Sequence, residues 1–169
     1  DQKIIHKYMF KFKVGFGVDV HRLESNKPLF IGGIQIPSEK GAVGHSDADV
    51  LIHSICDALL GAANLGDIGV HFSDQDPKYK GIDSKILLQN VVSLLNAKGF
   101  TIGNIDATVV LEMPKVNPHV PKIKEVLAKI LELDTEDVSI KATTHEKVDS
   151  FGNQDAIKSY CVCLISRSA

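Results

Sequence analysis

The strongest constraint on the fold is a strict alternation of apolar residues with polar or small residues at positions 10–21. The apolar positions are Phe10, Phe12, Val14, Phe16, Val18 and Val20. Because a strand alternates its side chains between two faces, this stretch is predicted to form a half-buried strand. Asp19 and His21 end its polar face, where their side chains lie about 6–7 Å apart along the strand.

A second segment, at positions 44–53, has the sequence pattern of a helix start. Ser46 is predicted as the N-cap, and the helix is expected to continue to about Ala63. Asp49 and His53 are expected one turn apart on the same helix face, where Asp49 can orient a ligand histidine. The helix therefore supplies one more imidazole, close in sequence to the strand pair.

Asp19, His21 and His53 together form a carboxylate and imidazole set of the kind that binds zinc. Three protein ligands leave a fourth position open for a substrate oxygen, as in catalytic zinc sites. Each residue also has a simpler interpretation: Asp19 and His21 as polar residues at a strand end, and His53 as a hydrogen-bonded core histidine. Their combination on two neighbouring elements favours the metal site.

Composition restricts the class of protein. The chain has 169 residues, is 44% hydrophobic and 24% charged, and fits one soluble domain over residues 1–169. Its net charge of -2 gives no basis for nucleic acid or a membrane as the main partner. Cys56, Cys161 and Cys163 are expected to be reduced, buried thiols in a reducing compartment. A metal site at Cys161 and Cys163 is the alternative, but no second thiol pair accompanies it.

The remaining pattern predicts an α+β fold. We expect a single-domain α/β sandwich, in which about three helices cover one face of a four- to five-stranded mixed sheet. Further strands are predicted at 29–36, 104–112, 137–144 and 156–166, and further helices at 83–98 and from Asn117-Pro118 onward. The strand at 156–166 is apolar on both faces, which predicts contact between subunits and therefore an oligomer.

Several other segments carry groups that suit phosphate or sugar. His45, with the helix N-terminus behind it, suits an anion, although it can equally serve only in capping. The loop at 66–76 offers carboxylates beside glycines, and the segment at 141–147 offers hydroxyls, cations and a carboxylate. The segment at 114–119 is a rigid start to a helix. An ordinary turn or a solvated strand end explains each of these segments equally well when it is taken alone.

Together these segments resemble the 2-C-methyl-D-erythritol 2,4-cyclodiphosphate synthase family of the non-mevalonate isoprenoid pathway. The resemblance extends from about Lys13 to Ile165. It is carried by GFGVDVHR (15–22), FIGG (30–33), GHSDADVLIHSICDALLGAANLGDIG (44–69), HFSDQDPKYKGIDS (71–84), GNIDATVV (103–110), PKVNPHV (114–120) and IKATTHEK (140–147).

The resemblance implies a phosphorus–oxygen lyase. Its substrate would be 4-diphosphocytidyl-2-C-methyl-D-erythritol 2-phosphate, whose 2-phosphate attacks the β-phosphorus, releases CMP and closes a cyclic diphosphate. It implies a homotrimer with active sites between subunits, and zinc held by Asp19, His21 and His53. A second divalent cation, Mg²⁺ or Mn²⁺, would have Glu146 as its protein ligand.

The resemblance also assigns roles to individual residues. His45 and Thr144 would stabilise the transition state, and Ser46 would join the loop residues that hold the methylerythritol part. Residues 111–117 would hold the cytidine, with Thr143 beside the phosphates. The complete set of substrate-binding residues is Ser46, Asp67, Ile68, Gly69, Phe72, Asp74, Asp76, Leu111, Met113, Pro114, Lys115, Val116, Asn117, Thr143 and His145.

Two positions depart from the family pattern. His145 stands where the family often has threonine, and Asn153 stands where many members have arginine. Asn153 cannot replace the charge of an arginine at a phosphate. Two other functions remain open at this point: a zinc-dependent phosphoesterase that activates water, and a non-catalytic trimer that binds a nucleotide or an isoprenoid.

The start of the chain bears on localisation. The sequence does not begin with Met, and residues 1–9 are interpreted as the remnant of a processed leader. The lysine- and isoleucine-rich start and the missing Met together favour a plastid-type organelle, an apicoplast or a chloroplast. The bacterial cytoplasm is the alternative.

Overall fold

The structure is a computed structural model that describes residues 10–168, so the predicted leader remnant at 1–9 lies outside the described residues. Short 3-10 helices occupy Pro77–Tyr79, Asn117–His119 and Thr135–Asp137. The strands are β1 (Phe10–Ser25), β2 (Leu29–Ile31), β3 (Ile34–Ile36), β4 (Lys40–Val43), β5 (Thr101–Val110), β6 (Val138–Thr143) and β7 (Ala156–Ser168). The α-helices are α1 (Val50–Ala62), α2 (Ile68–His71), α3 (Ser84–Ala97), α4 (Val120–Leu131) and α5 (Asp149–Gly152).

Five of the strands form one mixed sheet in the order β4-β1-β7-β5-β6. All neighbours are antiparallel except β5 and β6, which run parallel. The predicted strand at 29–36 is instead two strands, β2 and β3, which form a separate hairpin. Gly32 and Gly33 have φ values of 62° and 82° and make its turn, a conformation that glycine adopts without steric cost. The fold class predicted from the sequence is confirmed.

The three long helices lie on one face of the sheet. Helix α1 packs against β1 and β7, α3 packs against α1, and α4 packs against α3 and β6. Their apolar side chains and the inward side chains of the strands form one continuous buried cluster. Cys56, Cys161 and Cys163 are free and buried within residues 10–168, as predicted. No helix in this described part of the chain is long and apolar enough to span a membrane.

Strand β1 is half-buried, but the buried face differs from the one that its pattern indicates. The side chains of Val14 and Phe16 are 68% and 61% exposed, whereas Gly15 and Gly17 lie beneath α1. A β-carbon on Gly15 would collide with the backbone of Ala58. The glycines therefore let β1 approach the helix closely, and the apolar row faces away from the helix layer.

Two predicted helix starts are corrected. Helix α1 begins at Val50 with Asp49 as its N-cap, because the Asp49 carboxylate accepts a hydrogen bond from the Ile52 N–H. Ser46 lies in the turn before it. Asn117 lies within a 3-10 turn, and α4 begins after it at Val120 with His119 as its N-cap.

Candidate active site

Strand β1 and helix α1 bring Asp19, His21 and His53 together. Asp19 and His21 follow Gly15 and Gly17 on the face of β1 that lies beneath the helix, while His53 lies on the first turn of α1. The close packing at the glycines therefore determines how near the strand side chains come to the helix. The three residues form a group that can hold a metal ion, as the sequence predicts.

The three donor atoms form a compact triangle. His21 Nε2 and His53 Nδ1 lie 2.7 and 3.0 Å from Asp19 Oδ2, and 3.2 Å from each other. Tetrahedral zinc with bonds of about 2.0–2.1 Å needs its donor atoms about 3.3 Å apart. The donor chemistry and this spacing fit such an ion after a movement of a few tenths of an ångström.

Electrostatic coupling within the group changes two pKa values. Burial acts to raise the pKa of Asp19, but hydrogen bonds and charge from His21 and His53 together lower it below 3.8. Burial likewise acts to lower the pKa of His53. Its hydrogen bond to Asp19 and the negative charges around it outweigh that effect and raise its pKa above 6.5. Both shifts favour the charged forms of Asp19 and His53, because each charge stabilises the other.

The second ring nitrogen of His53 faces away from the triangle. His53 Nε2 lies 2.8 Å from Ser84 Oγ and 3.1 Å from Ser46 Oγ. Ser84 in turn donates hydrogen bonds from its hydroxyl and its N–H to the carboxylate of Asp47. The sequence did not identify Ser84, because it is 31 residues from His53 and approaches it only through the packing of α3 against α1.

Asp49 does not orient a ligand histidine, contrary to the sequence-based expectation. Its fully buried carboxylate accepts from the N–H groups of Gly32, Gly33 and Ile52. It therefore ties the β2–β3 turn to the start of α1. Its burial raises its pKa despite these hydrogen bonds.

A cavity of about 220 Å³ opens beside the metal-ligand group. Six of the predicted site residues line it, and Tyr79, Ile82 and Leu87 complete the lining although they were not predicted. The sequence could have indicated Tyr79, because it is an aromatic residue close behind the polar loop at 66–76. The predicted residues on the cavity wall are His21, His45, Ser46, Phe72 and Asp74, together with His53.

Other predicted loop residues have local structural roles. Asp67 is the N-cap of α2 and accepts from the Val70 N–H, and Asp76 caps the 3-10 turn at 77–79. Ile68 follows Asp67, and Gly69 is exposed within the same short helix. None of these four is among the described residues that line the cavity.

The remaining predicted residues lie where the parallel strands β5 and β6 end. The Leu111 N–H donates to the Thr143 carbonyl at 3.0 Å, which joins the two ends. The predicted residues of this group are Leu111, Met113, Pro114, Lys115, Val116, Asn117, Thr143, Thr144, His145 and Glu146. Within residues 10–168, none of them lines the cavity beside the metal-ligand group.

These residues differ in exposure. The side chains of Leu111 and Val116 are buried in the core, so only their backbone groups can meet a ligand. Met113, Lys115, Asn117, Thr143 and Glu146 are exposed. Met113 and Pro114 line a separate cavity of about 330 Å³, together with residues of the 37–40 segment and Gln154.

Hydrogen bonds order the segment after β6. The Glu146 N–H donates to Thr144 Oγ1 at 3.2 Å, and the His145 N–H donates to Glu112 at 3.3 Å. His145 Nδ1 lies 2.8 Å from an Asp149 carboxylate oxygen. That hydrogen bond is the main cause that lowers the pKa of Asp149.

Curated relatives of the chain come from bacteria. A 2-C-methyl-D-erythritol 2,4-cyclodiphosphate synthase of Porphyromonas gingivalis is 54% identical over 154 residues, which cover 91% of this chain and 95% of the relative. The same enzyme of Parabacteroides distasonis is 56% identical over 157 residues, which cover 93% of this chain and 98% of the relative. Further relatives with more than half identity are also from bacteria, so the prediction of a plastid-type organelle is wrong.

Solved structures and a family model agree with these relatives. A 2C-methyl-D-erythritol-2,4-cyclodiphosphate synthase in a form bound to CDP is 33% identical, with a TM-score of 0.84 over 90% of this chain and 99% of that one. The model of the YgbB family matches residues 12–166. A match across nearly the whole described chain, with relatives of this identity, shows that the chain belongs to the YgbB family.

Proposed function

We propose that the protein converts 4-diphosphocytidyl-2-C-methyl-D-erythritol 2-phosphate to 2-C-methyl-D-erythritol 2,4-cyclodiphosphate and CMP. The 2-phosphate oxygen forms a new bond to the β-phosphorus, and the bond from that phosphorus to the CMP oxygen breaks. The observation that carries the proposal is the Asp19, His21 and His53 group beside a cavity, in a chain whose relatives carry this synthase's name. No protein nucleophile is needed, so catalysis depends on positioning and charge neutralisation.

We assign the metal-ligand group to zinc. Two imidazoles and one carboxylate suit this borderline-soft ion, and three ligands leave a position for a substrate oxygen. When bound, Zn²⁺ supplies a Lewis acid that polarises a phosphoryl oxygen. The 22% exposure of the Asp19 side chain supports access from the cavity side.

The cavity wall supplies the polar groups that orient the substrate. His45 is exposed beside the cavity and can donate to a phosphate oxygen as negative charge develops there. Ser46 offers a hydroxyl on the same wall, while Phe72 and Asp74 provide one apolar and one polar surface for the methylerythritol part. Asp67, Ile68, Gly69 and Asp76 are proposed to contribute through the conformation of this loop.

The second group, at the ends of β5 and β6, is proposed to complete the site from a neighbouring subunit of a homotrimer. Two observations support this. The group does not line the cavity beside the metal ligands within the described chain, and the apolar face of β1 is exposed in a single subunit. Thr143, Thr144 and His145 would then face the phosphates, and residues 111–117 the cytidine.

Glu146 is proposed as the protein ligand of a second cation, Mg²⁺ or Mn²⁺. Its carboxylate is exposed, and the N–H of Glu146 is bonded to Thr144, which orders the backbone at this position. Hard divalent cations of this kind are commonly held by one or two carboxylates together with substrate phosphates. A single exposed glutamate therefore suits a cation that arrives with the substrate.

Substitution of Asp19 tests the assignment. Asp19→Asn keeps the side-chain shape but removes the charge that joins the two histidines, so CMP release should fall by more than about 100-fold, beyond the loss typical of supporting partners. Asp106→Asn is a matched control, since Asp106 is a strand carboxylate paired with Lys141 outside the site. Full activity in the Asp19→Asn variant, measured by chromatography of released CMP, would contradict the assignment.

A further inference from the structure

We propose that Ser84 and Asp47 are positioning residues that hold His53 in the tautomer required for metal binding. In this tautomer the proton is on Nε2 and the lone pair of Nδ1 points toward Asp19 and His21. The inference rests on the metal site of the proposed function. It assigns a role to two residues that belong to neither the metal-ligand group nor the predicted substrate pocket.

The two nitrogens of the His53 ring have different surroundings. His53 Nδ1 lies 3.0 Å from Asp19 Oδ2 and 3.2 Å from His21 Nε2, inside the donor triangle. His53 Nε2 lies 2.8 Å from Ser84 Oγ, on the opposite side of the ring. His53 is only 5% exposed and Ser84 is fully buried. Because the site is so enclosed, protein groups determine which nitrogen carries the proton.

The hydrogen bonds of Ser84 give this contact a direction. A serine hydroxyl has one proton, and in Ser84 that proton is donated to the carboxylate of Asp47. The Ser84 N–H donates to the other oxygen of the same carboxylate at 2.8 Å. Ser84 Oγ therefore has only lone pairs to offer His53, so it must accept a hydrogen bond from a protonated Nε2.

A protonated Nε2 leaves Nδ1 of a neutral imidazole free as a ligand. Ser46 Oγ lies 3.1 Å from Nε2 and accepts from the Ala48 N–H. It keeps a second lone pair that can also accept from Nε2, so it is compatible with this tautomer, whereas Ser84 requires it. Outer hydrogen bonds of this kind fix ring orientation and tautomer at metal sites, and losing one typically lowers metal affinity by about 10- to 100-fold.

The positions of Ser84 and Asp47 follow from two helix starts that lie side by side. Ser84 is the first residue of α3, directly after the N-cap Asp83, and Asp47 lies in the turn before α1. The Asp47 N–H also donates to the Ile82 carbonyl at 3.2 Å, which joins the two turns through the backbone. Packing of α3 against α1 thus links the Asp47 carboxylate, the Ser84 hydroxyl and the His53 imidazole in one chain of hydrogen bonds.

This chain of hydrogen bonds predicts a specific effect of the Asp47→Asn substitution on the His53 ring. Asparagine has only one acceptor oxygen, whereas the Asp47 carboxylate accepts from two backbone N–H groups, that of Ser84 at 2.8 Å and that of Asp49 at 3.2 Å on the other oxygen. Because the Ser84 bond is the shorter one, we expect the asparagine oxygen to face the Ser84 N–H. The asparagine NH₂ then faces Ser84 Oγ and donates to it, so that the serine proton turns toward His53 Nε2. That reversal places the imidazole proton on Nδ1, where it competes with the metal. A role limited to packing would not invert the protonation of the ring.

The test is zinc affinity together with the protonation of His53, on the full chain. Zinc affinity is measured by competition with a chromogenic chelator, and protonation by long-range ¹H–¹⁵N NMR of the zinc-loaded, histidine-labelled protein. Ser84→Ala and Asp47→Asn should each lower zinc affinity by about 10- to 100-fold. Ser54→Ala is the matched control, because it removes an equally buried serine hydroxyl that bonds Leu51 and Ser159. It should bind zinc like the unmodified protein.

The NMR measurement on the unmodified protein tests the inference even if a variant fails to fold. We expect a proton on His53 Nε2 and a metal-bound Nδ1. A metal-bound Nε2, or variants of Ser84 and Asp47 that bind zinc as tightly as the unmodified protein, would overturn the inference and leave the zinc site standing. Absence of zinc binding in the unmodified protein would overturn both.

Discussion

Asp19 is the residue on which the candidate site most depends, because one of its oxygens contacts both histidines. The resulting pKa shifts have opposite consequences for stability. Because the pKa of Asp19 is lower in the folded protein, its ionised form stabilises the fold above pH 3.8, and this contribution is lost as the pH falls through the folded-state pKa. Because the pKa of His53 is higher in the folded protein, its protonated form stabilises the fold below pH 6.5, and this contribution is lost as the pH rises through the folded-state pKa.

The metal-free protein is therefore expected to lose stability as pH rises through and above neutrality. The free energy of unfolding, from urea denaturation in excess chelator, should fall over this range more steeply for the unmodified protein than for His53→Gln. The glutamine variant lacks the imidazole whose pKa is raised, and so serves as the control. Equal slopes for the two proteins would contradict the proposed coupling of Asp19 and His53.

The site shows what residue spacing can and cannot predict. Alternation on one strand placed Asp19 beside His21, and His53 was added because its imidazole suits the same metal, although it is 34 residues from Asp19. Ser84 was not identified, because its contact with His53 exists only after α3 packs on α1. The role of Asp49 was wrong for a related reason: its partners at Gly32 and Gly33 belong to a distant turn.

At the scale of secondary structure, the contact between β1 and α1 positions the site. Alternation correctly predicted the strand but could not tell which face is buried, since a row of glycines and a row of apolar residues both suit burial. The structure buries Gly15 and Gly17, which permit close approach of the helix backbone. Likewise, the strand predicted at 29–36 became a hairpin because Gly32 and Gly33 adopt positive φ.

A pair of glycine substitutions tests this contact. Gly17→Ala places a β-carbon against the Ser54 carbonyl and should destabilise the protein by about 1–3 kcal/mol. Gly61→Ala is the control within α1, because a β-carbon there meets nothing within 4 Å. It should stabilise the protein by about 0.5–1 kcal/mol. Urea denaturation of both variants gives these values, and equal effects would disprove the close-packing account.

For the whole molecule, the exposed apolar face of the sheet is the main feature that a single subunit does not explain. Val14, Phe16 and Val18 on β1 and Val162 on β7 are all at least 41% exposed. Phe16 and Tyr160 stack with their ring centroids 6.2 Å apart, so the face is ordered across two strands. Burial of such a patch between subunits is favourable, which supports the proposed trimer.

Phe16→Glu should convert the proposed trimer to folded monomers, because a carboxylate on this face cannot be buried without a partner. Ile86→Glu is the control, since Ile86 is an exposed apolar residue, 46% accessible, on α3 rather than on the sheet face. Light scattering after size-exclusion chromatography measures both masses. A Phe16→Glu variant that keeps the mass of the unmodified protein would exclude this face as the interface.

The most direct test of the proposed activity is an end-point reaction with the cytidyl diphosphate substrate, Zn²⁺ and Mg²⁺, followed by phosphorus NMR. Intramolecular attack predicts CMP in equal amount to a cyclic diphosphate. A linear phosphate that has taken its oxygen from water would instead identify a phosphoesterase and contradict the cyclising reaction. No turnover by the zinc-loaded, trimeric protein would contradict catalysis itself.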